Sequence, residues 1–438
     1  MKFFAIFTAL FLWTLPCFAQ ENITTGFDLR TRYEYYQNAT DMNPAVNDDS
    51  SYFRIKGSFW TAWKSSGSYA AYLRLSNETR YYLYRYSGGT LLDRNHMPLN
   101  EIFFEDLYGD WNNIVGQPVK LRAGRQELRG EFGEDFLISD GTPEDASRSF
   151  YFNAVRMTAN PSPKVKVDLL YINDPRQEQF LPRWNIQRNN VTNADLNQLN
   201  ASSEQGAVAY FSLAPITGLK VEPYYMFKHE DAGAAAYQSV GSNLHTVGAY
   251  AKYTFKPFTL RGQGLYQAGS YGQTYRNAYA WYAFADAEKK DWFLSPSVSA
   301  GYVSLSGDDP NTGRFEAFNP LFSRSTTYSL LYFMAFKKET GMIGYWTNLK
   351  MARFTFAIEP IEKLKVSYTY SDLKAHQPVA SLGGTGTDRG QLQELRAAYP
   401  FTKDVTSYVI GEKMHYGDFY QAGAGDGYCT RAELSVKF

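Results

Sequence analysis

Basic side chains recur at two-residue spacing in this 438-residue chain, and they are the residues most able to do chemistry. Arg30 and Arg32 are two apart, as are Arg54 and Lys56. Arg74, Arg80, Arg122, Arg156, Arg396 and Arg431 sit in similar stretches. A guanidinium presents a planar fork of N–H donors that matches the two oxygens of a carboxylate. Rows of such forks on one surface hold anions or select them for passage. Other chemistry lacks its residues. His96, His229, His245, His376 and His415 have no metal-ligand spacing, and two cysteines make neither a disulfide scaffold nor a zinc module. No nucleophile elbow, Walker loop or dinucleotide fingerprint occurs. Residues 307–313 hold oxygen ligands without the EF-hand order. No metal, cofactor or catalysis is expected.

The elements that must position those cations alternate with period two. Phe27, Leu29, Thr31, Tyr33 and Tyr35 share one parity, and Asp28, Arg30, Arg32 and Glu34 the other. A strand sends these sets to opposite faces. Phe53, Ile55, Gly57, Phe59 and Trp63 against Arg54, Lys56 and Ser58 repeat the pattern. Eighteen such segments are expected, near 27–35, 52–63, 69–80, 101–111, 119–127, 150–158, 164–173, 206–213, 219–229, 244–256, 257–268, 276–286, 292–305, 346–358, 363–373, 391–399, 404–416 and 428–438. Most reach the 9–12 residues that a tilted strand needs to cross a bilayer, roughly twice the globular average.

The connections alternate too. Short ones fall at 65–68, 112–118, 159–163, 214–218, 256–257, 287–291, 359–362 and 400–403. Long ones fall at 37–50, 81–100, 128–149, 174–205, 230–243, 269–275, 306–345, 374–390 and 417–427. Tight periplasmic turns and long external loops are the signature of a transmembrane β-barrel. Composition fits: 44% of residues are hydrophobic, enough to exclude disorder, and 17% are aromatic, with 35 Tyr and 31 Phe. A mean hydropathy of −0.42 argues against a helical membrane protein. Equal numbers of basic and acidic residues, 44 each, exclude a generally basic nucleic-acid binder.

Lys2, the apolar stretch 3–16 and Cys17-Phe18-Ala19 form an export leader over residues 1–19. Residues 20–438 are then one antiparallel all-β barrel, closed because hydrocarbon leaves no partner for an open sheet edge. Residues 428–438 end on Phe438, which resembles the signal read by the barrel assembly machinery. The expected setting is the outer membrane of a Gram-negative bacterium, with outer-membrane lipid against the aromatic face.

Phasing the strands counts nineteen basic residues inward against seven acidic ones, Asp28, Glu34, Glu78, Asp168, Glu222, Glu394 and Glu433. The balancing acid is expected mainly in long loops: Asp48-Asp49, Glu131, Glu134-Asp135, Glu144-Asp145, Glu230-Asp231 and Asp308-Asp309. Closure makes neighbours of Arg431, Arg30, Arg32, Arg54, Lys56, Arg74 and Arg80, a basic wall whose expected passenger is an anionic solute. The apolar run 328–336 suggests that the loop 306–345 folds inward or over the mouth as a gate. Two further readings stay open, a general anion- or sugar-selective porin and a structural or adhesive barrel.

Gly124-Arg125-Gln126-Glu127-Leu128 and Phe152-Asn153-Ala154-Val155-Arg156 resemble the alginate-export family of outer-membrane porins. So do Ser306-Gly307-Asp308-Asp309-Pro310-Asn311-Thr312-Gly313, Phe318-Asn319-Pro320-Leu321-Phe322, Pro400-Phe401-Thr402-Lys403 and Gly417-Asp418-Phe419. The resemblance covers most of residues 20–438. It implies an eighteen-strand barrel with an electropositive lumen and passive movement of an anionic polysaccharide such as alginate, with Arg125 and Arg156 at its uronate carboxylates. The chain departs from the family at Asn153, where Asp is usual, and after Gly130. Val119, Leu121 and Ala123 give Arg125 outward parity. A bulge at Gly124 would turn it inward; otherwise it sits at the rim.

Overall fold

The computed structural model describes residues 22–65, 67–139, 152–187, 200–323 and 328–438. The expected leader, Glu144-Asp145 and the start of the segment expected at 150–158 lie outside the described residues.

Eighteen long strands form the wall: β1 Ile23–Gln37, β2 Ser50–Lys64, β3 Tyr69–Ser87, β4 Thr90–Trp111, β5 Val119–Gln126, β6 Phe152–Ser162, β7 Val165–Asp174, β8 Glu204–Leu213 and β9 Leu219–Glu230, then β10 Ser242–Phe255, β11 Phe258–Tyr271, β12 Thr274–Glu288, β13 Ser297–Leu305, β14 Leu349–Ile361, β15 Leu364–Lys374, β16 Asp388–Pro400, β17 Val405–Tyr416 and β18 Gly427–Lys437. Each pairs antiparallel with its neighbours in sequence. β1 and β18 then close the cylinder in a ladder from Asp28↔Lys437 to Gln37↔Tyr428. Among the described residues the eighteen-strand cylinder has no free edge, as a lipid setting demands. Every expected strand is present, with most ends shifted by a few residues, and β3 and β4 extended at their shared turn to Ser87 and Thr90 from the expected 80 and 101.

Outward residues are apolar and exposed, among them Val155, Leu169, Val247, Leu395 and Val409, while Trp63, Tyr69, Trp111, Phe255 and Phe258 flank the short turns. Such rings sit well where hydrocarbon meets headgroups.

Two expected long loops are instead hairpin extensions. β3 and β4 meet at Gly88-Gly89, both at positive φ (56° and 79°), and β11 and β12 turn through Gly272 (φ 59°). Glycine adopts such geometry freely, and a two-residue turn keeps the flanking ladder in register. Alternation fails there because both faces of an extension beyond the lipid band meet water.

Two other long loops run into the barrel. Leu128, Phe132, Leu137 and Ile138 of the first are buried, as are Phe318, Leu321, Phe322 and residues 330–333 of the second. They join each other through parallel pairs Phe322↔Ile138 and Ser323↔Ser139. The second carries the helix α1, Tyr332–Thr340. The described part of 306–345 does both: Phe318, Phe322 and Leu330 are buried inside, while α1 meets the other long loops, Lys338 reaching the Asp41 carbonyl and Gln421 and Tyr332 reaching Tyr420.

Candidate functional site: the barrel interior

The cations of β1, β2, β3 and β18 lie side by side on the face opposite the lipid-facing rings, built up by ladder pairs Arg30↔Lys56, Arg32↔Arg54 and Arg54↔Arg80. Glu34 sits at their centre, fully buried. Arg431 Nη2 donates to it at 3.2 Å and the Tyr52 hydroxyl at 2.8 Å, with Arg32 and Arg54 at 3.6 and 3.7 Å. Arg32 Nε donates to Glu433 at 2.6 Å, and Arg54 reaches Glu78 at 3.2 Å. Lys56 pairs with Glu105. Arg74 reaches Asp28 at 2.8 Å, and Arg80 donates to the Tyr82 hydroxyl at 3.2 Å. Arg30 faces the same side, next to Lys56 and Ser435. Arg396 on β16 lies 4.6 Å from the Tyr408 ring centre.

Further along the wall, on β4 and β5, Arg122 grips Asp110 through two bonds of 2.8 and 3.0 Å and stacks on Tyr108. Arg156 holds Asp168 and Glu131, both at 2.8 Å. Arg125 stands apart. The ladders of β5 pass through Gly124 without a register shift, so no bulge turns Arg125 inward. It stays at the rim, its guanidinium donating to Asn153 Oδ1 (3.1 Å), the Phe104 carbonyl (3.1 Å) and Glu178 (2.6 Å). Gly124 itself has φ 128°, and a Cβ there would fall 2.2 Å from the Leu107 carbonyl oxygen.

Several interior acids escape an alternation count. The β3–β4 ladder pairs Arg74 with Asp106 but Leu75 with Phe104, leaving Glu105 as an extra residue. This bulge switches parity, so Glu101, Glu105, Asp106 and Asp110 are all buried. Of the acids expected in loops, Glu131 and Glu134 come inside, the latter 2.5 Å from Arg261 Nη1, and Glu230 is the buried last residue of β9, 3.5 Å from Lys228. The interior is thus less unbalanced in formal charge than the nineteen-to-seven count.

Three interior arginines were missed. Arg276 donates to the Ala317 carbonyl, Arg353 to the Tyr328 carbonyl, and Arg389, fully buried, to Glu339 at 2.7 Å. The strands of Arg276 and Arg353 hide them because Ala278, Ala280, Tyr282 and Met351 are also inward, packed against the infolded loops, while Arg389 falls in the expected loop 374–390 and is the second residue of β16. With both faces apolar, period-two reading has no contrast to use.

Charge is layered in depth. Lys220 is 49% exposed while its partner Glu222, at 2.6 Å, is fully buried; Lys166 is 32% exposed and Asp168 2%. Lys120 over Asp110 repeats the arrangement. In β5, β7 and β9 each lysine lies near the short-turn end. Lys164, Lys220 and Lys252 also border a hollow of about 380 Å³ beside the 214–218 turn. Water at that mouth meets ammonium groups, and the carboxylates lie beneath.

The fold is similar to solved outer-membrane barrels. Pseudomonas aeruginosa OccK7 (OpdD) aligns with TM-score 0.59 and 11% identity, covering 96% of this chain and 99% of that one. Acinetobacter baumannii OccAB4 gives 0.58 and 12%, covering 96% and 99%. P. aeruginosa OccK5 (OpdH) gives 0.58 and 10%, covering 95% and 98%. No curated protein matches in sequence. A closed eighteen-strand cylinder of this kind is a porin-like channel of the outer-membrane type. The chain belongs to the alginate export family, which matches residues 21–432.

Proposed function

We propose that the protein is a passive channel in the outer membrane of a Gram-negative bacterium, delivered there after removal of residues 1–19 as one barrel over 20–438. It passes an anionic polysaccharide or oligosaccharide of the alginate type along arginine and lysine side chains. The layering of charge carries this reading: the water-facing surface is cationic at the short-turn mouth even where formal charges balance. A polyanion is drawn to that mouth and handed between weak carboxylate sites, each guanidinium or ammonium staying oriented by the acid beneath it. Family membership supports the uronate as passenger.

Purified protein in planar bilayers tests the proposal. Anion-selective conductance reduced by oligomannuronate is expected. Replacing Lys120, Arg122, Lys166 and Lys220 together with Gln moves selectivity toward cations and weakens the block. Anion conductance indifferent to uronates would identify a small-anion porin, and absence of conductance a structural barrel.

A further inference from the structure

The first infolded loop, residues 127–139, brings two carboxylates to two arginine forks. Arg156 donates through Nε to the wall acid Asp168 and through Nη2 to Glu131 of the loop, each at 2.8 Å. Arg261 repeats the plan, with Nε on wall acid Asp286 at 2.8 Å and Nη1 on Glu134 at 2.5 Å. In both forks the wall acid accepts from Nε and fixes the orientation, while the loop acid accepts from a terminal nitrogen, Nη2 of Arg156 and Nη1 of Arg261. The wall acids are integral to the sheet. The loop acids are reachable from water, Glu131 being 41% and Glu134 28% exposed.

The loop backbone is held by other means. Leu128, Phe132, Leu137 and Ile138 are buried, Phe132 packs edge-on against Tyr210, and Gly133 N–H donates to Glu222. Either carboxylate can swing away while the loop stays docked. A cavity of about 120 Å³ lies beside Glu134, lined also by Arg261, Arg353, Tyr282, Phe284 and Tyr328. Aromatic faces beside guanidinium forks suit a pyranose ring bearing a carboxylate.

We infer that Glu131 and Glu134 are internal stand-ins for two carboxylates of the passing anion, occupying a terminal nitrogen of Arg156 and of Arg261 until solute displaces them. The inference deepens the proposed function and takes from it the uronate as ligand. The stand-ins keep the forks pre-aligned and leave no uncompensated positive charge when the channel is empty, Lys166 also reaching Glu131 at 3.4 Å, and they make these two carboxylate sites exchanges rather than traps. Binding is weak enough for onward movement.

Block of single channels by trimannuronate tests it, in native protein, E131Q/E134Q and E131D/E134D, with heat-shifted electrophoretic mobility reporting a folded barrel. Removing the competitor tightens block roughly three- to tenfold in E131Q/E134Q, the range for partly exposed ion pairs. The Asp variant keeps the lumen's charge but shortens each arm by a methylene, so it loses its reach to the forks and tightens block at least about twofold on the same scale. Tighter block in the Gln variant with native behaviour in the Asp variant means a general field effect and overturns the inference, as does no change in either. If trimannuronate blocks none of the three, the uronate reading fails instead. Chloride then decides: a reversal potential in a KCl gradient moved toward anions in both variants upholds the exchange, and an unmoved Asp variant overturns it.

Discussion

At the residue scale, the interior is governed by the cost of isolating charge. Glu34 is shared by Arg32, Arg54 and Arg431 and accepts from the Tyr36 and Tyr52 hydroxyls. Glu34→Gln keeps the volume and removes the carboxylate shared by three guanidinium groups, of which Arg32 keeps Glu433 and Arg54 keeps Glu78, so a loss of about 3 kcal/mol is expected, read as a lowered urea midpoint in detergent. His376 follows from burial. Its Nε2 lies 3.0 Å from Ser304 Oγ, and burial, with the charges of Lys350 and Arg389, pushes the imidazole down from 6.5 to about 4. A histidine buried neutral gives its full contribution above pH 6.5 and loses it as pH falls toward 4, because the unfolded segment then binds the extra proton. Limited proteolysis of residues 375–387 should therefore quicken as pH drops through that window. An even rate from pH 7 to 4.5 would rule out the coupling.

At the element scale, the second infolded loop is pinned by one wall carboxylate. Glu412 of β17 accepts from the Leu330 and Leu331 N–H groups and from Ser329 Oγ, and Ser329 Oγ accepts from Tyr332 N–H. A carboxylate on the N–H groups that open α1 also complements its dipole. At the other end Gly341 adopts φ 81° and its N–H bonds the Lys337 carbonyl. Glu412→Ala removes the acceptor of three buried donors, at least about 3 kcal/mol of docking. Larger and noisier single-channel currents are expected, and native conductance would show that this loop does not narrow the path.

At the scale of the whole molecule, water-exposed cations over buried acids make long-range attraction sensitive to salt in a particular way. Screening shortens from about 10 Å at 0.1 M to about 3 Å at 1 M, weakening the pull of Lys120, Lys166 and Lys220 on a polyanion. The buried Glu34 cluster is shielded from that screening. Block by oligomannuronate should fall steeply over this range while the urea midpoint changes little. Block that holds at 1 M KCl would place the binding force in short-range contacts.

The eighteen-strand plan was legible because lipid imposes a rule on each strand: an apolar residue at every second position, as from Phe27 to Tyr35 or Tyr428 to Phe438. Closure then follows from backbone hydrogen bonding alone. The same rule placed Arg30, Arg54, Arg122 and Arg156 on the inner face. It failed where its physical cause was missing. On β12 and β14 the inner face packs against the infolded loops, so Arg276 and Arg353 had no polar neighbours to mark them. At Glu105 one bulge exchanged the parities. Arg125 looked movable by a bulge at Gly124, and only the ladder decided that it stays at the rim. Local alternation therefore determined which residues face water within the barrel. Tertiary structure decided which of those charges meet solvent and which are neutralised, because their partners, such as Glu131, Glu134 and Glu339, arrive on loops distant in sequence.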